Sequence, residues 1–162
     1  MNALRSALVI AALVATPAIA GAPWISVELP ANPMDPATRG AFAVVRTYRH
    51  ADPMPFVVTG TAEGLVEGER RSLSMTLRST NGTGRVAIMK TWPSDGVWLL
   101  KLGVEGMDMN AAIGVGADGE LAFVRVPTNR EGGPRSLSRS EVETLLRALA
   151  GGQPIPTLVA SR

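Results

Sequence analysis

Apolar side chains recur at every second position along most of this chain, in short runs separated by glycine and proline clusters. The clearest case is residues 71–78, where leucine and methionine alternate with serine, threonine and arginine. Such alternation gives a β-strand one apolar face and one polar face. Between residues 41 and 127 the turn signals return at intervals of roughly ten residues, which is typical of a β-sandwich or barrel.

The turns and prolines divide the region into separate strands. Asn81-Gly82 and Asp118-Gly119 predict hairpin turns, because these residues tolerate positive φ. The proline-rich stretch 23–36 excludes helix and interior strand, although its first half can pair as an edge strand. The pattern predicts an antiparallel, immunoglobulin-like β-sandwich of about seven or eight strands. The predicted strands are Trp24–Leu29, Ala41–Tyr48, Phe56–Ala62, Arg71–Arg78, Arg85–Trp92, Val97–Val104, Met109–Val115 and Glu120–Val126.

One short C-terminal helix follows the β region. Ser138 and Glu141 have the spacing of a capping box, and Glu143 and Arg147 can pair one turn apart. Two glycines at 151 and 152 end the helix. We therefore expect the sandwich over 21–135, the helix within 136–152 and a tail over 153–162. The apolar residues that fall on one face of the helix are Val142, Leu145, Leu146 and Leu149.

The N-terminus has the three parts of a secretory signal. Arg5 precedes an apolar run over 7–15, and small residues stand at Ala18 and Ala20. A membrane span needs about 20 apolar residues, roughly twice the length of this run. We expect residues 1–20 to be a signal peptide cleaved after Ala20, which leaves a soluble mature chain that is periplasmic or secreted.

The composition argues against several partners. The formal net charge is +2, and the two lysines, Lys90 and Lys101, are far apart in the sequence, so no basic patch for nucleic acid is visible. The chain has no cysteine, which excludes a thiol nucleophile and a cysteine-ligated zinc site. No phosphate-binding or dinucleotide-binding glycine motif is followed by a helix, so we expect no cofactor.

Segment 40–104 resembles small exported bacterial sandwich domains of the YtkA-like and transthyretin-like kind. The resemblance lies in an early strand that follows a glycine (residues 39–42), a middle hairpin (60–65) and a late strand opened by Pro-Ser-Asp-Gly-Val-Trp (93–98). It covers less than half of the chain, and the helix is not part of it. It implies a sandwich fold and carries over no functional residue.

The sequence contains few residues that could form a catalytic site. His50 is the only histidine, and no Gly-x-Ser-x-Gly motif offers a serine for it to activate. Glu63, Glu67 and Glu69 lie close together, but the glycines between them indicate a solvated hairpin loop rather than a pair of catalytic carboxylates. We therefore expect a protein that is not an enzyme.

Two binding functions remain. The first is an exported module that binds a partner protein or an envelope component through a sheet edge or an apolar patch; Arg46, Arg49, Arg70 and Arg71 are either a patch for an acidic partner or a solvated face. The alternative is a periplasmic copper carrier, because thioether sulfur suits Cu(I). Its candidate metal ligands are His50, Met107 and Met109, with Met54 nearby; core packing is the competing interpretation of the methionines.

Overall fold

The chain forms two antiparallel β-sheets and one helix. The structure, a computed structural model, describes residues 23–29, 31–107 and 110–156; the predicted signal peptide, residues 1–20, lies outside them. The elements are β1 (Trp24–Glu28), β2 (Ala41–Arg49), β3 (Asp52–Pro53), β4 (Val58–Val66), β5 (Glu69–Ser74), β6 (Thr76–Ser79), β7 (Arg85–Met89), β8 (Val97–Val104), β9 (Asn110–Val115), β10 (Leu121–Arg125) and α1 (Arg139–Ala150).

The order of the strands is that of an immunoglobulin-like sandwich. In the first sheet, sheet A, the order is β1-β2-β7-β6, with β3 also paired to β2; in the second, sheet B, it is β10-β9-β8-β4-β5. The orders β1-β2-β7-β6 and β5-β4-β8-β9 correspond to strands A-B-E-D and C′-C-F-G of that fold, and β10 adds one strand beyond G. The predicted fold class is confirmed.

The predicted strand count of seven or eight is wrong, since the described residues contain ten strands. One addition is β3, a two-residue strand among prolines. The other arises because the predicted strand 71–78 divides at Met75, whose N–H donates to the carbonyl of Gly60 (3.1 Å). On one side of this point β5 pairs with β4, and on the other β6 pairs with β7 in the opposite sheet. Alternation continues through such a corner, so the sequence pattern does not reveal it.

Strand β8 lies at the centre of sheet B and contributes to both apolar cores. Trp98, Leu100 and Leu102 point into the core between the sheets, and Val97 and Leu99 pack beneath the helix. Trp92 is also buried in the first core, where it meets Phe42 edge to face at a centroid distance of 5.2 Å, so both tryptophans near the 93–96 turn are packing residues.

The proline-rich loop over 31–40 covers the outer face of sheet A. Arg85 donates to Asp35 (2.9 Å), and Arg78 donates to the carbonyls of Ala37 (3.2 Å) and Arg39 (3.3 Å). Beneath the loop the sheet residues Val44 and Ala87 are fully buried. The expected edge strand in the first half of the proline-rich region is present as β1.

Helix α1 covers part of the outer face of sheet B and so adds a third layer. Its capping box is formed as predicted: Ser138 accepts the N–H of Glu141, and the Glu141 carboxylate accepts the N–H of Ser138. Gly151 caps the C-terminus. The predicted ion pair of Glu143 with Arg147 is not present; Glu143 pairs with Arg70 of β5 instead. Among the described residues, no helix has both the length and the apolarity needed to cross a bilayer.

Candidate functional site

Two of the predicted metal ligands, His50 and Met107, fall at one end of the sandwich, after strands that belong to different sheets. His50 follows the last residue of β2 in a left-handed conformation (φ 55°), and its carbonyl accepts a hydrogen bond from Nε1 of Trp24 (2.7 Å). Met107 is exposed in the turn after β8, and its N–H donates to the carbonyl of Val104 (3.1 Å). Val104 lies beside Val58, where β4 begins shortly after His50, so both candidates are at the same end.

The described residues include only part of the predicted metal site. Met109 lies outside the described residues. The backbone carbonyl of Met54 accepts the hydroxyl of Thr47. Among the described residues there is no group of three histidine, aspartate or glutamate side chains that could hold a metal ion. The metal site stays a prediction.

A highly charged concave surface lies where the N-terminal part of α1 meets sheet B. This surface, the charged cleft, has a volume of about 460 Å³. Its lining includes four cations and two carboxylates, together with one serine and two apolar residues at its wall. The lining residues are Glu63, Arg70, Arg71, Ser72, Lys101, Leu137, Arg139, Val142 and Glu143.

Arg70 uses both carboxylates of the charged cleft. Its guanidinium lies 3.0 Å from Glu63 and 3.4 Å from Glu143, so it connects β4 to the helix. Glu63 also accepts the hydroxyl of Ser72 (3.1 Å). Glu63 is therefore a half-buried residue of β4, and its predicted place in a solvated hairpin loop is wrong; the loop contains Glu67 and Gly68, both at positive φ.

Lys101 is a cation of the charged cleft that has no ion pair with a described residue. It is half-buried on the central strand β8, on the face that carries Leu99, between Thr61 of β4 and Ala112 of β9. Within the part of the chain that the structure describes, no carboxylate lies within 4.0 Å of its ammonium group. A half-buried lysine commonly lays its aliphatic stem along apolar surface and keeps its ammonium group accessible, so this ammonium group is available to an anion.

Two more cations extend the positive surface around Lys101. Arg71 of β5 and Arg139 at the first position of α1 are exposed, and neither is in an ion pair with a described residue. With both carboxylates engaged by Arg70, the cleft keeps a net charge of +2 from its lining side chains. Such a surface attracts anionic groups.

The start of the helix is held firmly over the cleft. Arg135 binds the Glu141 carboxylate with both terminal nitrogens, one of them at 2.8 Å, and also donates to the carbonyl of Thr128 (3.1 Å). The Arg135 hydrogen bond holds the pKa of Glu141 at about 2, well below its usual value, although burial acts in the opposite direction. This network positions Arg139 and Glu143 at the rim.

The arginine patch considered from the sequence does not exist as one surface. Arg46 and Arg49 lie on β2 of sheet A, whereas Arg70 and Arg71 lie on β5 of sheet B. A single patch would require β2 and β5 to be neighbours, and they belong to different sheets. Lys101 was missed, although its isolation in an otherwise apolar run was the sequence signal that could have found it.

The turns that carry the resemblance to YtkA-like and transthyretin-like domains are formed. Gly40 before β2 and Gly96 before β8 both adopt positive φ, at 74° and 75°. No protein-family model, no curated protein and no solved structure matches this chain. The resemblance therefore stays a prediction.

Proposed function

We propose that the mature protein is an exported, non-enzymatic module that binds a partner protein or an envelope component, and that its charged cleft receives an acidic segment. The observation that carries the proposal is Lys101, half-buried on a central strand with no described carboxylate within 4.0 Å. A carboxylate from a partner would supply the missing counter-charge.

The mixed lining favours an acidic stretch of polypeptide as the ligand. Arg71, Lys101 and Arg139 can each meet a carboxylate, while Leu137 and Val142 provide an apolar wall for the side chains between them. The hydroxyl of Ser72 and the bridge through Arg70 complete a polar floor. A peptide with alternating acidic and apolar residues would match both parts of this surface.

Titration of the mature protein with a fluorescein-labelled peptide of alternating glutamate and leucine tests the cleft. Lys101→Met keeps the volume of the side chain and removes its charge, and we expect it to weaken binding about tenfold. Arg49→Met is the matched control, because Arg49 is an exposed arginine on the other sheet. The two variants should differ most at low salt, since screening weakens charge attraction.

Capture in the native envelope tests the partner itself. A photo-crosslinking residue at position 72, inside the charged cleft, should capture one defined protein, and Lys101→Met should abolish that product. The same residue at position 26 on β1 serves as the control. Equal capture at the two positions, or peptide binding that Lys101→Met leaves unchanged, would contradict the proposal.

A copper carrier remains the second candidate, favoured by the location of His50 and Met107 at one end of the sandwich. Titration with Cu(I) against a competing chelator tests it. A genuine site loses affinity in Met107→Ala, Met109→Ala and His50→Ala. An affinity that none of these changes reduces would reject it.

A further inference from the structure

Strand β10 is an open edge of sheet B, and its apolar side chains are unusually exposed. Leu121, Val124 and the following Val126 are 41%, 39% and 45% exposed. On one side β10 pairs with β9, and on the other it has no strand partner among the described residues. Free backbone groups and exposed apolar side chains on one edge favour pairing with another strand.

The other edge strands carry features that discourage such pairing. Strand β5 has three consecutive charges, Glu69, Arg70 and Arg71, and β6 carries Arg78. Strand β1 follows Pro23, which lacks an N–H donor. Between its ends β10 carries no charge, since its sequence is Leu-Ala-Phe-Val-Arg.

A β-bulge gives β10 two apolar side chains on one face. Leu121 is opposite Val115, whereas Phe123 is opposite Gly114, so Ala122 is the extra residue. Leu121 and Val124 consequently both align with core residues of β9, Val115 and Ile113. Their exposure means that sheet A does not extend far enough to cover them.

We propose that two copies of the mature chain associate by antiparallel pairing of β10 with β10 across a two-fold axis. The charges at the two ends of the segment favour a second copy of the same strand as the partner. Residues 120–125 begin with Glu120 and end with Arg125, both exposed. In an antiparallel pair that places Phe123 opposite Phe123 and leaves Ala122 as the extra residue of each strand, Glu120 of each copy is opposite Arg125 of the other.

The same register also matches the apolar residues. Leu121 of each copy is opposite Val124 of the second copy, so the two exposed side chains contact one another across the new strand pair. The bulge is what places them on a common face. The contact is confined to one short strand, so the dimer should be reversible and dependent on concentration.

Charge exchange tests the register directly. The mature protein and its variants are followed by sedimentation equilibrium over a range of concentrations, with circular dichroism to verify the fold. Glu120→Arg or Arg125→Glu alone places like charges at both ends of the pair, and each should raise the dimer dissociation constant about tenfold. The double variant restores both opposite-charge pairs and should return the constant to within about threefold of the original.

A matched exchange elsewhere provides the control. Arg130→Glu with Glu131→Arg alters two exposed charges in the loop after β10 and should leave the constant unchanged. A protein that stays monomeric at about 1 mM overturns the proposal. So does a dimer that the single variants do not weaken, or one that the double variant fails to restore.

Discussion

The indole of Trp98 lies against Gly64 of the neighbouring strand, in the space that any side chain at position 64 would occupy. A Cβ added at Gly64 would be 2.5 Å from Cζ3 of Trp98. The indole is fixed because its Nε1 donates to the carbonyl of Asp95 (3.0 Å) and because it is almost fully buried. The absence of a side chain at Gly64 therefore leaves the space that the indole of Trp98 fills in the core of the sandwich.

Gly64→Ala should lower the free energy of unfolding by about 3 kcal/mol, because neither the ring nor the backbone can withdraw. Chemical denaturation measures the loss. Gly60→Ala on the same strand is the matched comparison: its Cβ would meet the flexible Met75 side chain, 3.0 Å from the sulfur, so a smaller loss is expected. Equal losses in the two variants would contradict the role given to Trp98.

The Arg135–Glu141 pair should make stability depend on pH in the acid range. Because the pKa of Glu141 is lowered to about 2 in the folded state, its contribution is fully present above the unfolded value. The contribution is lost as the pH falls from roughly 4.5 to 2. Glu141→Gln should cost about 1–2 kcal/mol at neutral pH, and unfolding curves of the two proteins should converge across this window.

The Arg85 hydrogen bond also lowers the pKa of Asp35. It is present in both proteins of that comparison, so its effect cancels in the difference. A stability difference between wild type and Glu141→Gln that stays constant from pH 7 to about pH 2 would show that the carboxylate charge contributes nothing.

Arg85 should control the opening of the loop over 31–40. Its guanidinium lies 2.9 Å from Asp35 and 3.6 Å from Glu28, and its Nε has no described hydrogen-bond partner. Arg85→Met removes the ion pairs together with that unpaired donor. We expect faster hydrogen exchange at the amides of Thr38 and Ala41, which bond within the loop. Arg49→Met is the control, and unchanged exchange in both variants would contradict the prediction.

Alternation and turn chemistry predicted the elements that depend on local sequence. Strand β8 lies over 97–104 as expected, and the helix begins at its predicted capping box. The sequence does not predict the corner at Met75, because apolar and polar residues alternate in the same way along both strands that meet there. Its location depends on a hydrogen bond to Gly60, fifteen positions earlier in the chain.

The charged cleft was not predictable from the sequence because its parts are distant in the chain. Glu63, Lys101 and Arg139 come from β4, β8 and α1, and only the pairing of β4 with β8 and the docking of the helix bring them together. The sequence also does not show which sheet holds each arginine, so it could not decide whether the four arginines form one patch. Burial of Lys101 is likewise a property of its neighbours on adjacent strands.

Apolar packing, rather than the ion pair across the cleft, should hold helix α1 on sheet B. Leu145 is fully buried among Val97, Leu99 and Val142, whereas Arg70 is partly exposed where it meets Glu143. Leu145→Ala should lower the free energy of unfolding by about 3 kcal/mol. Arg70→Met should change it by less than about 1 kcal/mol, because exposed ion pairs contribute little. Denaturation curves of the two variants measure both losses. A larger loss of unfolding free energy in Arg70→Met than in Leu145→Ala would mean that the ion pairs of Arg70 hold the helix on the sheet. The shape of the charged cleft would then depend on Arg70.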